Sequence, residues 1–110
     1  MQLKITRDPE QLTAALIGEL DHHTAAEVRE KIDAAILQER CPQLVLDLSG
    51  LTFMDSSGIG LIRGRERLIR SLGSKMQLCG ATTRMETVLR LAGMEKLPIW
   101  ETNTERMQSQ

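Results

Sequence analysis

Asp55-Ser56-Ser57-Gly58 delivers one carboxylate and two hydroxyls to the start of an apolar, helix-spaced run, and three kinds of chemistry are open to it. The side chains could cap the helix, a serine could act as a nucleophile, or the helix start could receive an anion, because its unpaired N–H groups and dipole favour negative charge. The nucleophile reading is weak. A hydrolase elbow needs G-x-S-x-G, and Met54 stands where the first glycine belongs, while His22 and His23, the only histidines, have no evident orienting partner in sequence. Dinucleotide binding fails too, because Gly58-Ile59-Gly60 continues to Arg63 where a third glycine is required and Gly64 comes one residue late. Gly73-Ser74-Lys75 lacks the upstream glycine of a phosphate-binding loop. His22 and His23 make a poor metal pair, since adjacent helical side chains diverge by about 100° and no Cys or His follows at zinc spacing. No catalytic residue, metal ligand or cofactor is expected. Plain cap and functional loop remain equally open on these letters.

The elements that must position this stretch follow from hydrophobic spacing. Leu44-Val45-Leu46-Asp47-Leu48 reads as a buried strand, bounded by Pro42 and the turn pair Ser49-Gly50. Beyond Asp55, apolar residues at Ile59, Ile62, Ile69 and Leu72, with Leu61 and Leu68 beside them, predict a helix that Gly73-Ser74 ends. Upstream, Leu3 and Ile5 alternate with polar residues, Arg7-Asp8-Pro9-Glu10 breaks the pattern, and Leu12 to Ile17 gives a second strand ending at Gly18, so the two form a hairpin. Thr24-Ala25-Ala26-Glu27 matches a capping box and opens a helix towards Gln38, with Val28, Ile32, Ala35 and Ile36 on one face. Met76 to Cys79 makes another strand. Thr83-Arg84-Met85-Glu86 matches a second capping box before a helix stopped at Gly93, and Leu97 to Trp100 can form a last short strand. Strands alternating with helices imply an α/β domain around a central, largely parallel sheet of about five strands, with an antiparallel first pair. Residues 101–110 are polar, a tail with at most a turn or two of helix.

The three helix starts differ. The first and third carry a glutamate three residues after their threonine, whereas from Ser56 the third residue on is Ile59 and from Ser57 it is Gly60. Gly58 and Gly60 weaken that first turn by up to about 1 kcal/mol each relative to alanine, and let another backbone, a phosphate or an enzyme approach closely.

Composition narrows the partners. A chain of 110 residues is one domain by size. There is no Tyr, and Phe53 and Trp100 are the only aromatics, which argues against stacking platforms for single-stranded nucleic acid; a net charge of -1 gives no basic footprint either. No apolar run approaches a membrane span, so neither nucleic acid nor membrane is expected as a partner, and the protein is expected to be cytoplasmic. Cys41 and Cys79 show no C-x-x-C spacing and fit that compartment as reduced thiols. Arg63, Arg65, Arg67 and Arg70 give the second long helix a basic character, read as a solvated face that could meet an acidic surface.

Gly18-Glu19-Leu20-Asp21-His22-His23-Thr24-Ala25, together with Phe53-Met54-Asp55-Ser56-Ser57-Gly58-Ile59-Gly60 and the Leu-Val-Leu-Asp-Leu strand, resembles the anti-sigma-factor antagonist family, the bacterial STAS domains. Within it, Ser57 and the double histidine resemble the sporulation branch that antagonises the anti-sigma F factor; general-stress antagonists more often have threonine after the motif serine. The resemblance covers Leu3 to Trp100 and implies a single domain over 1–100, with a mixed sheet flanked by helices on one side. It implies no enzyme and no cofactor. It implies binding to an anti-sigma factor that is also a serine kinase, release of the sigma factor, phosphorylation of Ser56 as the off-switch and reversal by a serine phosphatase. Asp55, Ser56, Ser57, Gly58, Ile59 and Gly60 would form the partner surface with Glu19, Asp21, His22 and Thr24, Asp21 being the foremost contact of that loop. The alternatives are a STAS-type general-stress regulator, or a nucleotide- or anion-sensing module using the same helix start.

Overall fold

The computed structural model describes residues 1–94 and 99–102. In chain order its elements are β1 (Gln2–Arg7), β2 (Gln11–Leu20), α1 (Ala25–Glu39), β3 (Gln43–Met54), α2 (Ser56–Ser71), β4 (Lys75–Ala81), α3 (Thr83–Leu91) and β5 (Ile99–Thr102). The sheet order is β1-β2-β3-β4-β5. β1 pairs antiparallel with β2 and every later pairing is parallel, which makes the sheet mixed. β5 extends the edge of the sheet by pairing with β4. The last strand runs later than expected, over Ile99–Thr102 instead of ending at Trp100, so the first two residues of the expected tail belong to it; residues 103–110 lie outside the described residues.

Period-two alternation makes the core one-sided. In β2, Leu12, Ala14 and Leu16 are buried; in register beside them lie Leu44 and Leu46 of β3, and beyond those Met76 and Leu78 of β4. These rows of branched side chains form one cluster with Val28, Ile32, Ala35 and Ile36 of α1, Leu61, Ile62 and Ile69 of α2, and Leu89 of α3. Each large side chain so buried contributes about 1.5–3 kcal/mol relative to exposure. Successive right-handed crossovers stepping in one direction along the sheet keep the helices on that face.

The helix ends show where local signals held and where they did not. α2 and α3 both close as Schellman motifs: Ser74 N–H donates to the Ile69 carbonyl and Met94 N–H to the Leu89 carbonyl, each at 3.0 Å. Gly73 (φ 76) and Gly93 (φ 86) supply the left-handed residue this geometry needs, as their sequence positions predict. Neither capping box forms. Thr24 makes no side-chain cap to α1, and Glu27 reaches forward to Lys31 at 3.0 Å instead. α3 is capped one residue earlier than expected, by Thr82, whose hydroxyl accepts from Met85 N–H at 3.1 Å; Glu86 then falls one position too late and pairs with Arg90 at 2.7 Å. In each helix the glutamate pairs with a cation one turn on, Lys31 in α1 and Arg90 in α3.

The expected basic face of α2 is also corrected. Arg65 is only 6% exposed and its Nε lies 2.7 Å from Asp33 Oδ1 on α1. Arg63 donates to the carbonyl of Ala92 at the end of α3, and Arg70 pairs with Glu66 at 3.5 Å. Arg67 remains exposed. Alternation along a helix with one buried face sends residue 65 inward with Leu61, Ile62 and Ile69, and there burial lowers the Arg65 pKa, with Asp33 opposing the shift and Arg29 adding to it. Arg63 and Arg65 thus tie α2 to its neighbours, while Arg67 and Arg70 stay on its surface.

Candidate functional site

Asp55 is fixed by both its backbone and its side chain. The parallel pairing of β2 with β3 runs to Leu20 opposite Met54, and Asp55 N–H extends it by donating to the Leu20 carbonyl at 3.2 Å. The residue is extended (φ -105, ψ -167), and its Oδ1 accepts from Ser57 N–H at 2.8 Å, so Asp55 is the N-cap of α2. Its charge sits where the helix dipole favours an anion. α2 therefore starts with a carboxylate after all, supplied from the cap position instead of the third residue of the helix.

The two serines part company at this start. Ser56 is the first helical residue and is exposed, whereas Ser57 is half-buried with its N–H engaged by Asp55. Gly58 is buried: a Cβ there would lie 2.3 Å from Met54 Cγ and 3.1 Å from Leu20 Cδ2, so the absence of a side chain lets the helix settle onto the strand ends. Gly60 is the opposite case. It is exposed and a Cβ would meet nothing within 4 Å, and half-buried Ile59 lies between the two.

The second segment of the site is a turn over residues 21–24, brought alongside by the same strand pairing. Asp21 Oδ1 accepts from His23 N–H at 2.9 Å and from Thr24 N–H at 3.1 Å, and Asp21 N–H donates to Thr24 Oγ1 at 3.0 Å. The Thr24 hydroxyl donates to the Glu19 carbonyl at 3.1 Å. Burial works to raise the Asp21 pKa, but the bonds from His23 and Thr24 and the nearby His23 charge outweigh it and hold the carboxyl below its ordinary 3.8. Asp21 and Thr24 thus spend their polar groups building the turn. Glu19, His22 and His23 are the exposed side chains of the segment.

His22 links the two segments. Its Nδ1 lies 3.9 Å from Asp55 Oδ2, with 70% of the imidazole exposed, a contact worth about 0–1 kcal/mol in such solvent access. The rings of His22 and His23 sit 4.0 Å apart at a tilt of 39°, where helical geometry would have splayed them; the turn over residues 21–24 replaces the expected divergence. Among the described residues no group of three His, Cys, Asp or Glu side chains could hold a metal ion.

The chain that carries this helix start is matched by known proteins over most of its length. The family model described as the STAS domain matches residues 2–106. The chain belongs to the STAS domain family. An anti-sigma F factor antagonist of Paenibacillus polymyxa is 39% identical over 102 residues, covering 92% of this chain and 87% of that protein. Among solved structures, the unphosphorylated form of the anti-sigma factor antagonist SpoIIAA is 28% identical, with a TM-score of 0.75 over 98% of this chain and 96% of that one. The phosphorylated form of SpoIIAA, described as a Bacillus cell fate determinant, is 29% identical with the same TM-score of 0.75, over 98% of each chain. No helix of the described STAS domain is long and apolar enough to cross a membrane.

Of the residues singled out in sequence, the STAS fold brings Glu19, Asp21, His22 and Thr24 to the same end of the sheet as Asp55 to Gly60. Sequence reading missed the partner of Gly58, the Met54 side chain, because a contact between a strand end and the following helix leaves no periodic signal. It also passed over Phe53, which is half-exposed at the end of β3 although its apolar character suggests core.

Proposed function

We propose that this STAS domain is an anti-sigma-factor antagonist that binds an anti-sigma factor, itself a serine kinase, when Ser56 is unmodified, and that phosphorylation of Ser56 switches the binding off. A serine phosphatase restores the binding form. The observation that carries the reading is the exposure of Ser56 at the first position of α2, beside a half-buried Ser57 whose backbone N–H is held by Asp55. A kinase can reach the first without unfolding anything. The sporulation branch is favoured over general-stress control by the 39% identity to an anti-sigma F factor antagonist, against 28% to an anti-sigma-B factor antagonist of Listeria monocytogenes. The protein works in the cytoplasm without cofactor or turnover of its own, as a single domain.

Electrostatics restrict how the switch operates. A phosphate on Ser56 adds about -1.5 to -2 charge at a helix N-terminus, where an anion gains about 0.3–1 kcal/mol. Asp55 one residue away repels it, and the two effects oppose each other within the fold. Binding is lost at the interface, where the partner would have to strip water from a dianion beside Asp55 and Glu19.

The test compares unmodified protein, Ser56→Ala and Ser56→Asp. Ser56→Ala binds the anti-sigma factor but takes up no phosphate; Ser56→Asp binds weakly with its melting temperature shifted by only a few degrees. Phosphate found on Ser57 or Thr52 by mass spectrometry after reaction with the kinase, or a Ser56→Asp form that binds like the unmodified one, refutes the assignment.

A further inference from the structure

Two exposed large apolar residues stand at the end of the sheet that carries Ser56: the terminal Met1, 42% exposed beside Gly18 at the edge, and Phe53 on the strand that leads into α2. Phe53, the only phenylalanine in the chain, is 48% exposed, and Glu19 lies beside it in register on β2, also exposed. Scattered exposed apolar residues need no explanation. Leu37 and Leu91 are more exposed, but they stand in the last turns of α1 and α3, at the opposite end of the parallel sheet from Ser56. The position of Phe53 sets it apart. It lies two residues before the Asp55 cap, and the Leu20–Met54 pairing and the bond from Asp55 N–H to the Leu20 carbonyl hold that strand end in place. A ring on a hydrogen-bonded strand has few torsions left to lose on association, whereas Ser56 and Gly60 offer a partner little apolar area. Aromatic side chains are the groups that most often supply binding energy at the centre of a protein interface.

We propose that Phe53 is the affinity anchor of the partner surface, entering an apolar pocket of the anti-sigma factor. The inference rests on the antagonist reading above and divides the labour within it. Phe53 supplies attraction in every state of the protein, and Ser56 decides whether the surfaces can close. The partner is thereby described chemically: an apolar socket for the Phe53 ring next to a tight seat for the unmodified Ser56 hydroxyl.

Because the chain has a single phenylalanine, 4-fluorophenylalanine labels this position alone. Titrating the labelled chain with the anti-sigma F factor of its host should move the one fluorine resonance, and the Ser56-phosphorylated chain should leave it in place. Phe53→Ala should weaken binding at least about ten-fold with an unchanged urea midpoint, and Phe53→Leu should recover most of the loss. A fluorine signal unmoved at saturation, or a Phe53→Ala chain that binds as tightly as the original while Ser56→Asp does not, overturns the anchor and leaves the antagonist reading standing. Failure of the unmodified chain to bind at all refutes both.

Discussion

Gly58 and Gly60, two residues apart in the first turns of α2, should respond to alanine with opposite signs. Replacing a mid-helix glycine by alanine stabilises by about 0.5–1 kcal/mol when the added methyl group has room. At Gly60 a Cβ meets nothing within 4 Å, so the whole gain is available. At Gly58 the Cβ would sit 2.3 Å from Met54 Cγ and 2.9 Å from Met54 Sδ, so the methionine must leave its place between helix and strand. Overpacking of this kind costs about 1–3 kcal/mol. Net, Gly58→Ala loses about 0–2.5 kcal/mol after the propensity gain is subtracted. Gly60→Ala should raise the melting temperature by about 2–6 °C and Gly58→Ala lower it. Urea unfolding followed by far-UV circular dichroism, fitted with a common slope, reads both. A Gly60→Ala chain that is less stable, or a Gly58→Ala chain that is more stable, would show that the packing at the start of α2 is not as described. A second readout separates fold from function: the methyl group of Gly60→Ala lies one turn below Ser56, so the more stable protein should be the poorer binder of the anti-sigma factor.

Other perturbations probe the supports of the site. Asp33→Ala leaves the Arg65 guanidinium buried without its carboxylate; with Asp33 30% exposed, the cost is set below that of a fully buried pair, at about 1–3 kcal/mol by urea unfolding. The double change Asp33→Leu with Arg65→Met should return most of it, and no recovery would mean that the pair is not what the single change disturbs. The Asp21 carboxyl is held below its ordinary 3.8, so its contribution to stability is present above that value and lost as pH falls through the lower folded value. The stability difference between the original chain and Asp21→Ala should therefore be constant above about pH 5 and shrink in the acid range, and a difference independent of pH would exclude this role. Thr82→Ala should cost about 1 kcal/mol through the lost cap of α3, while Thr83→Ala should cost little; the reverse order in thermal unfolding would restore the capping box at Thr83.

The alternating strands and helices, the antiparallel first pair and the glycine stops after α2 and α3 were legible because each rests on neighbours a few residues apart. Period-two and period-3.6 burial patterns are local, and a left-handed residue after a helix is a property of glycine itself. The capping boxes failed for physical reasons of the same range: in α1 Glu27 pairs with Lys31 one turn further on, and in α3 Thr82 takes the cap one residue early and leaves Glu86 out of position. Arg65 misled for the opposite reason. Its letter is polar, but its position on the buried face of α2 and its partner on α1 come from packing between elements.

The sequence by itself determined that Asp55 and two hydroxyls stand at a helix start. Tertiary structure decided which groups share the place. Parallel pairing of β2 with β3 carries Glu19 and the Asp21 turn to Asp55, although they are more than thirty residues apart in the chain. It also left Ser56 and Phe53 exposed while Gly58 sank onto Met54 and Leu20. Strand register is fixed by long-range hydrogen bonds and by the fit of one buried face, and neither is written in the spacing of nearby residues.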